Sequence, residues 1–340
     1  MSEPNLFAQQ ETNKRKSAWL VAGFLLFFAW IGFGGDLAFY LYTRKLPSER
    51  YHHVFPFIGL IACAIAARAA RSAWKHGAKR VLDAAGAQEL INPATPELKR
   101  LDNVVEEMAI AAGLPKPKIW IVPDPDPNAF ATGHDPLTAH LAVTEGLLKV
   151  LDRDELQAVV AHEMSHIRNY DIRLMTLLAA MVGAVALLSE MLGRFMRGGG
   201  GLGGKGRGGG GGKGKGNPAA AIVLVLWIIT LILAPIVSRL LTMGVSRKRE
   251  YLADASGAQL NRNPLALASA LEKIAAATAA TKCIAKGAGH MCIVDPAERK
   301  LADREGFVGN LLASHPPIRL RLARLRGMGY AAAKQTGTAS

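Results

Sequence analysis

Apolar residues in this chain are gathered into blocks instead of recurring at one period. The first block runs from Ala18 to about Tyr42, long enough to cross a bilayer at about 1.5 Å per residue. It is too long for the apolar core of a signal peptide, and no small-x-small cleavage site follows, so it reads as a retained anchor. The polar residues before it, 1–17, are expected to be disordered. A second, shorter block covers 54–70, giving a transmembrane hairpin over 18–71, and Asp36 near the far end of the first span is expected to reach the membrane interface. Two further blocks, about 172–196 and 219–241, form a second hydrophobic hairpin over 172–241.

Between and after the blocks the pattern changes to that of a folded soluble region in two pieces, 72–171 and 242–330. Pro93 to Gly113 reads as a helix, with Leu98, Leu101, Val104, Val105 and Met108 at helical spacing and Gly113 and Pro115 closing it. Lys118 to Val122 reads as a strand, and Asn128 to Gly133 as a crossing to a second strand at His140 to Thr144. Asp152 and Glu155 make a capping-box start for the next helix. An Ala-rich helix follows from Pro264 to about Ala280, and residues 331–340 are expected to be a disordered tail. The fold class is therefore α+β, mainly helical, in a multi-pass membrane protein with a small β-sheet.

Charge supports the membrane reading. The net charge is +14, and its Lys and Arg residues largely flank the apolar blocks, as the positive-inside rule and anionic headgroups require. Residues 198–216 are a glycine tract carrying Lys205, Arg207, Lys213 and Lys215. The tract is similar to RNA-binding segments but has no aromatic residue to stack on bases, so it reads as a solvated tether and nucleic acid is not expected as a partner. Three cysteines, Cys63, Cys283 and Cys292, are too few for a disulfide framework and point to reduced thiols. No paired Cys spacing supports a second metal site near His290.

The chemistry concentrates at His162-Glu163-Met164-Ser165-His166. On a helix, residues four apart share a face, so both imidazoles can meet one metal ion while Glu163 is placed to take a proton from water. Leu156, Val159, Val160 and Ile167 give that helix an apolar face, and partly buried imidazoles need partners, for which zinc is the economical one. A hydrolytic zinc keeps three protein ligands and an open position. No third histidine follows at metzincin spacing, where Tyr170 and Arg173 stand. The best-placed carboxylate is Glu250, and Asp254 lies one turn on, so one helix can offer one carboxylate to zinc and another to a ligand histidine.

The segments His162 to Asn169, Arg249 to Asp254, Asn128 to Gly133 and Ser314-His315-Pro316-Pro317, in that spacing, resemble the HtpX family of membrane zinc metalloproteases, which is related to the CAAX prenyl proteases. The resemblance covers nearly the whole chain and departs from the family pattern mainly in the glycine tract. It implies a zincin-type (gluzincin-like) domain, with one zinc ion per subunit on His162, His166 and Glu250 and with Glu163 as the catalytic base. It also implies cleavage of misfolded or damaged membrane proteins in bacterial envelope quality control.

A second donor is needed for the oxyanion of the tetrahedral intermediate; His315 is the candidate, with Arg319 behind it. The strand from Ala139 to Thr144 is expected to pair with an extended substrate backbone. Lys14 to Lys16, with Arg68, Arg71, Lys75, Lys79 and Arg80, put the N-terminus and the catalytic region in the cytoplasm, and the resemblance implies that the membrane is a bacterial inner membrane. Four full crossings would put the basic glycine tract outside, against the same rule, so either the first hairpin sets orientation or the second pair is shallow. Two other functions stand beside the endopeptidase: a site-specific CAAX-type processing protease, and a membrane peptide- or RNA-binding protein whose zinc is structural.

Overall fold

The computed structural model describes residues 6–44, 47, 50–181, 247–277, 291–294 and 316–337. His315, the stretch from Cys283 to His290, the glycine tract and most of the second hydrophobic hairpin lie outside the described residues. The chain divides into two units. One comprises Met1–Ala18, Ala73–Ala180 and Leu240–Ser340, the other Trp19–Ser72 and Met181–Arg239.

Two long helices pass through both units, α1 (Leu6–Thr43) and α2 (Phe57–Ala84). The stretches Gln9–Leu41 and Phe57–Ala84 are long and apolar enough to cross a membrane. Within the second unit Trp19, Leu26, Trp30 and Ile61 are more than half exposed, as lipid-facing side chains would be. Asp36, near the far end of the first span, has protein partners. Buried, it accepts the backbone N–H of Gly59 (2.6 Å) and Ile58 (3.1 Å) at the start of α2 and pairs with His53 at 2.7 Å. One carboxylate thereby meets two of the donors that a helix start leaves unsatisfied.

The first unit holds a four-stranded sheet of order β1-β2-β4-β3, formed by Gln88–Glu89, Lys118–Val122, Ala129–Thr132 and His140–Thr144 in chain order. β2 and β4 are parallel, paired Lys118 to His140 through Val122 to Thr144, and β3 runs antiparallel to β4. Two expectations are corrected. The segment at Asn128–Gly133 is a strand in its own right, and β4 is internal, with β2 and β3 on either side, so its backbone has no free edge for a substrate. The outermost strands are β1 and β3, and the outer side of β3 is already engaged: the Ala129 carbonyl accepts the Ile293 N–H and the Ala129 N–H donates to Asn128 Oδ1.

Helix α3 (Pro96–Ala112) starts on Thr95, whose hydroxyl accepts the Leu98 N–H, and ends on Gly113 at φ 66°. After α4 (Glu145–Val150), α5 (Arg153–Arg168) opens with a full capping box: Asp152 accepts the Glu155 N–H at 2.9 Å and Glu155 accepts the Asp152 N–H at 3.0 Å. Glu155 also takes Lys273 and Ser269, each at 2.6 Å, which docks α7 (Pro264–Ala276) onto α5. One core joins Leu101, Val104 and Met108 of α3, Leu141 and Val143 of β4, Leu156, Val160 and Met164 of α5, and Leu267 and Leu271 of α7.

α5 does not run straight into the third apolar block. The chain turns at Asn169 and Tyr170, the latter at φ 58°, and residues 171–181 begin a new helical segment. Ile172, Leu174, Met175, Leu177 and Leu178 are all buried, so the start of that block is protein core, and the first unit runs to Ala180. The termini also differ from expectation. Residues 6–17 are helical, with Asn13 and Ser17 buried: Asn13 donates to the Asn169 carbonyl on the turn after α5, and Ser17 donates to the Asn13 carbonyl. At the other end α8 (Ile318–Gly337) carries helix into the expected tail.

Candidate metal centre

The site is assembled where α5 crosses α6 (Arg247–Asn261). The crossing is close because position 257 is glycine: a Cβ there would sit 2.9 Å from the His162 Cα and N. That contact brings Glu250 and Asp254, one turn apart on α6, against the histidine face of α5.

His162 and His166 turn their Nε2 atoms toward each other at 3.2 Å. Glu250 faces both, its Oε2 lying 3.7 Å from His162 Nε2 and its Oε1 3.7 Å from His166 Nε2. The three donor atoms lie within 4.8 Å of one another. Behind each imidazole stands a carboxylate: Asp254 Oδ1 is 3.1 Å from His162 Nδ1, and Asp171 Oδ2 is 3.0 Å from His166 Nδ1. The His166 Nδ1 proton directed to Asp171 leaves that ring's Nε2 lone pair facing His162 Nε2, while Asp254 stands in charge contact behind His162, and two imidazole nitrogens so close form an arrangement that a cation relieves. Tetrahedral zinc at about 2.05 Å from each nitrogen separates them by about 3.3 Å, close to what is found. Two imidazoles and a carboxylate are also the donor set of a hydrolytic zinc site, and among the described residues the group numbers three, which leaves a position for water.

Electrostatics reinforce the arrangement. Burial works to depress the His162 imidazole, but the carboxylates of Asp254 and Glu250 beside it outweigh that and raise its pKa to about 9. Burial would raise Asp254, yet the charge of Arg321, its two bonds from Arg321 and the nearby His162 bring it down to about 2. Glu163 is buried and its pKa is raised chiefly by desolvation, while the neighbouring histidines oppose the rise and the backbone N–H of Ala131 donates to its carboxylate. A cleft beside these groups is lined by Ala131, Glu163, His166, Met175, Glu250 and Met291.

The sequence-derived candidates His162, Glu163, His166, Glu250 and Asp254 thus converge. Arg319 is exposed on α8. The arginine that reaches the site is Arg321, fully buried, which grips Asp254 with two bonds (2.9 and 2.7 Å), donates to the Ile293 carbonyl at 2.8 Å and lies 3.8 Å from Glu250 Oε2. Its signal was the period of α8, where Arg321 and the buried Leu325 share a face four residues apart. Asp171 had no comparable signal, because its position depends on the turn at Tyr170.

The model of peptidase family M48 matches residues 96–329. A protease HtpX homologue from Caldanaerobacter subterraneus subsp. tengcongensis is 44% identical over 237 residues, covering 69% of this chain and 74% of its own. Another from Streptococcus pneumoniae is 38% identical over 323 residues, covering 95% of this chain and all of its own. The crystal structure of S. mikatae Ste24p aligns with 94% of this chain and 66% of that one at TM-score 0.44 and 17% identity.

Proposed function

The chain belongs to peptidase family M48 and is a membrane-bound metalloprotease, and we propose that His162, His166 and Glu250 hold its zinc ion while Glu163 acts as the general base. The observation that carries this reading is the convergence of two Nε2 atoms and one carboxylate within 4.8 Å, with Glu163 buried beside them. Bound there, zinc supplies a Lewis acid and a water of lowered pKa. Glu163, its proton affinity raised by burial, accepts the water proton at its carboxylate and returns it to the departing amine. Asp171 keeps the His166 imidazole in the tautomer that leaves Nε2 free, and Asp254 stands in charge contact behind His162. Arg321 holds Asp254 and balances the charge of Glu250. His315 keeps the role of second donor to the oxyanion.

The proposed substrates are exposed loops and tails of damaged or misfolded membrane proteins. The cell is bacterial, with the catalytic unit on the cytoplasmic face of the inner membrane, where the basic residues flanking the first hairpin would hold it.

Metal analysis of the purified full-length protein tests the ligand set. Wild type should carry one zinc ion per chain, and His162→Ala and Glu250→Ala should each lose most of it. Full zinc occupancy in both variants would overturn the assignment.

A further inference from the structure

We infer that Asp171 and Asn13 are positioning residues for the metal ligand His166, so that the N-terminal helix is a working part of the metal centre; the inference rests on the ligand set proposed above. Asp171 opens the helical segment after the turn at Tyr170, and its two oxygens are divided. Oδ2 meets His166 Nδ1 at 3.0 Å, while Oδ1 accepts the side-chain amide of Asn13 at 2.7 Å. The same amide donates to the Asn169 carbonyl at 2.9 Å, so a single side chain of α1 fixes both the carboxylate and the turn that presents it. Asn13 and Asp171 are buried, and no bulk water competes for these bonds.

Neighbouring residues of α1 repeat the attachment. Gln10 donates to the Arg168 carbonyl at 2.8 Å, and the Lys14 ammonium lies 4.3 Å over the Tyr170 ring. The two ligand histidines are thus held alike but by different donors. Asp254 behind His162 is gripped by the charged Arg321, whereas Asp171 behind His166 is gripped by a neutral amide, with the Arg249 guanidinium only at 4.0 Å. A neutral donor leaves more of the carboxylate's charge facing the imidazole, and the bond fixes the orientation of the ring.

The test measures zinc affinity of the full-length protein by chelator competition, together with the visible spectrum of the Co2+-substituted form. Asp171→Asn should weaken zinc binding about 10- to 100-fold and alter the Co2+ bands. Asn13→Ala should weaken it about 2- to 10-fold, the worth of one buried hydrogen bond. Because Asn13 acts through Asp171, its effect should vanish in the Asp171→Asn background. Two results overturn the inference: Asn13→Ala with wild-type zinc affinity and Co2+ spectrum, or an Asn13→Ala effect of the same size in both backgrounds. The first is what a merely structural contact gives, as it would lower the melting temperature alone. Zinc held as tightly by His166→Ala as by wild type would instead remove the ligand set itself.

Discussion

Arg321 is the residue on which the electrostatics of the site turn. It is fully buried and neutralises Asp254 directly and Glu250 at 3.8 Å, so removing it leaves buried carboxylates without their counter-charge. Breaking a buried pair in this way costs roughly 3–5 kcal/mol. Arg321→Met should therefore lower the melting temperature markedly, by calorimetry, and Arg321→Lys should recover only part of the loss because it cannot make both bonds to Asp254. The titrations carry a sign. His162 is raised from 6.5 to about 9, so its proton stabilises the fold fully below pH 6.5 and that contribution is lost as pH rises through about 9. A zinc ion at Nε2 would displace the same proton, so chelator competition should give zinc affinity rising with pH up to about 9. Asp254 is lowered from 3.8 to about 2; its contribution is present above 3.8 and is lost as pH falls toward about 2.

At the scale of elements, the site depends on how closely α6 approaches α5. Gly257→Ala would stabilise an ordinary exposed helix by roughly 0.4–1 kcal/mol. Here the added Cβ meets His162 backbone at 2.9 Å, so the sign should reverse: lower thermal stability and weaker zinc binding together. Glu155→Ala should cost about 1–3 kcal/mol in thermal unfolding, since it removes the reciprocal half of the capping box, the acceptor of the Asp152 N–H, and the partner of Lys273 and Ser269.

The same elements show what a sequence can reveal. The pentad, its cap, α3, β2 and the carboxylates of α6 were legible because each is written in local spacing. β3 was not: all four of its residues are buried, so it lacks the alternation that marks a half-exposed strand. Asp171 and Asn13 escaped for another reason, since their meeting spans 158 positions and depends on one left-handed residue, Tyr170. Arg321 was legible in principle from helical period, and Arg319 drew attention only because it lies one turn from His315.

For the whole molecule the question is sidedness. A single cysteine placed at Arg50, between α1 and α2, in a cysteine-free background should react with impermeant reagent from outside intact cells deprived of their outer barrier. One placed at the exposed Lys99 should, on the proposed orientation, react only after the membrane is opened. Equal labelling from one side would reject the crossing of the first hairpin. The proposed mechanism turns on Glu163 as the base. The most direct measurement compares zinc content and peptide hydrolysis of purified full-length wild type with Glu163→Gln. The expected result is unchanged zinc and a fall in kcat/KM of about 10²- to 10⁴-fold. A zinc-loaded Glu163→Gln that cleaves at the wild-type rate would contradict the assignment of Glu163 as the base.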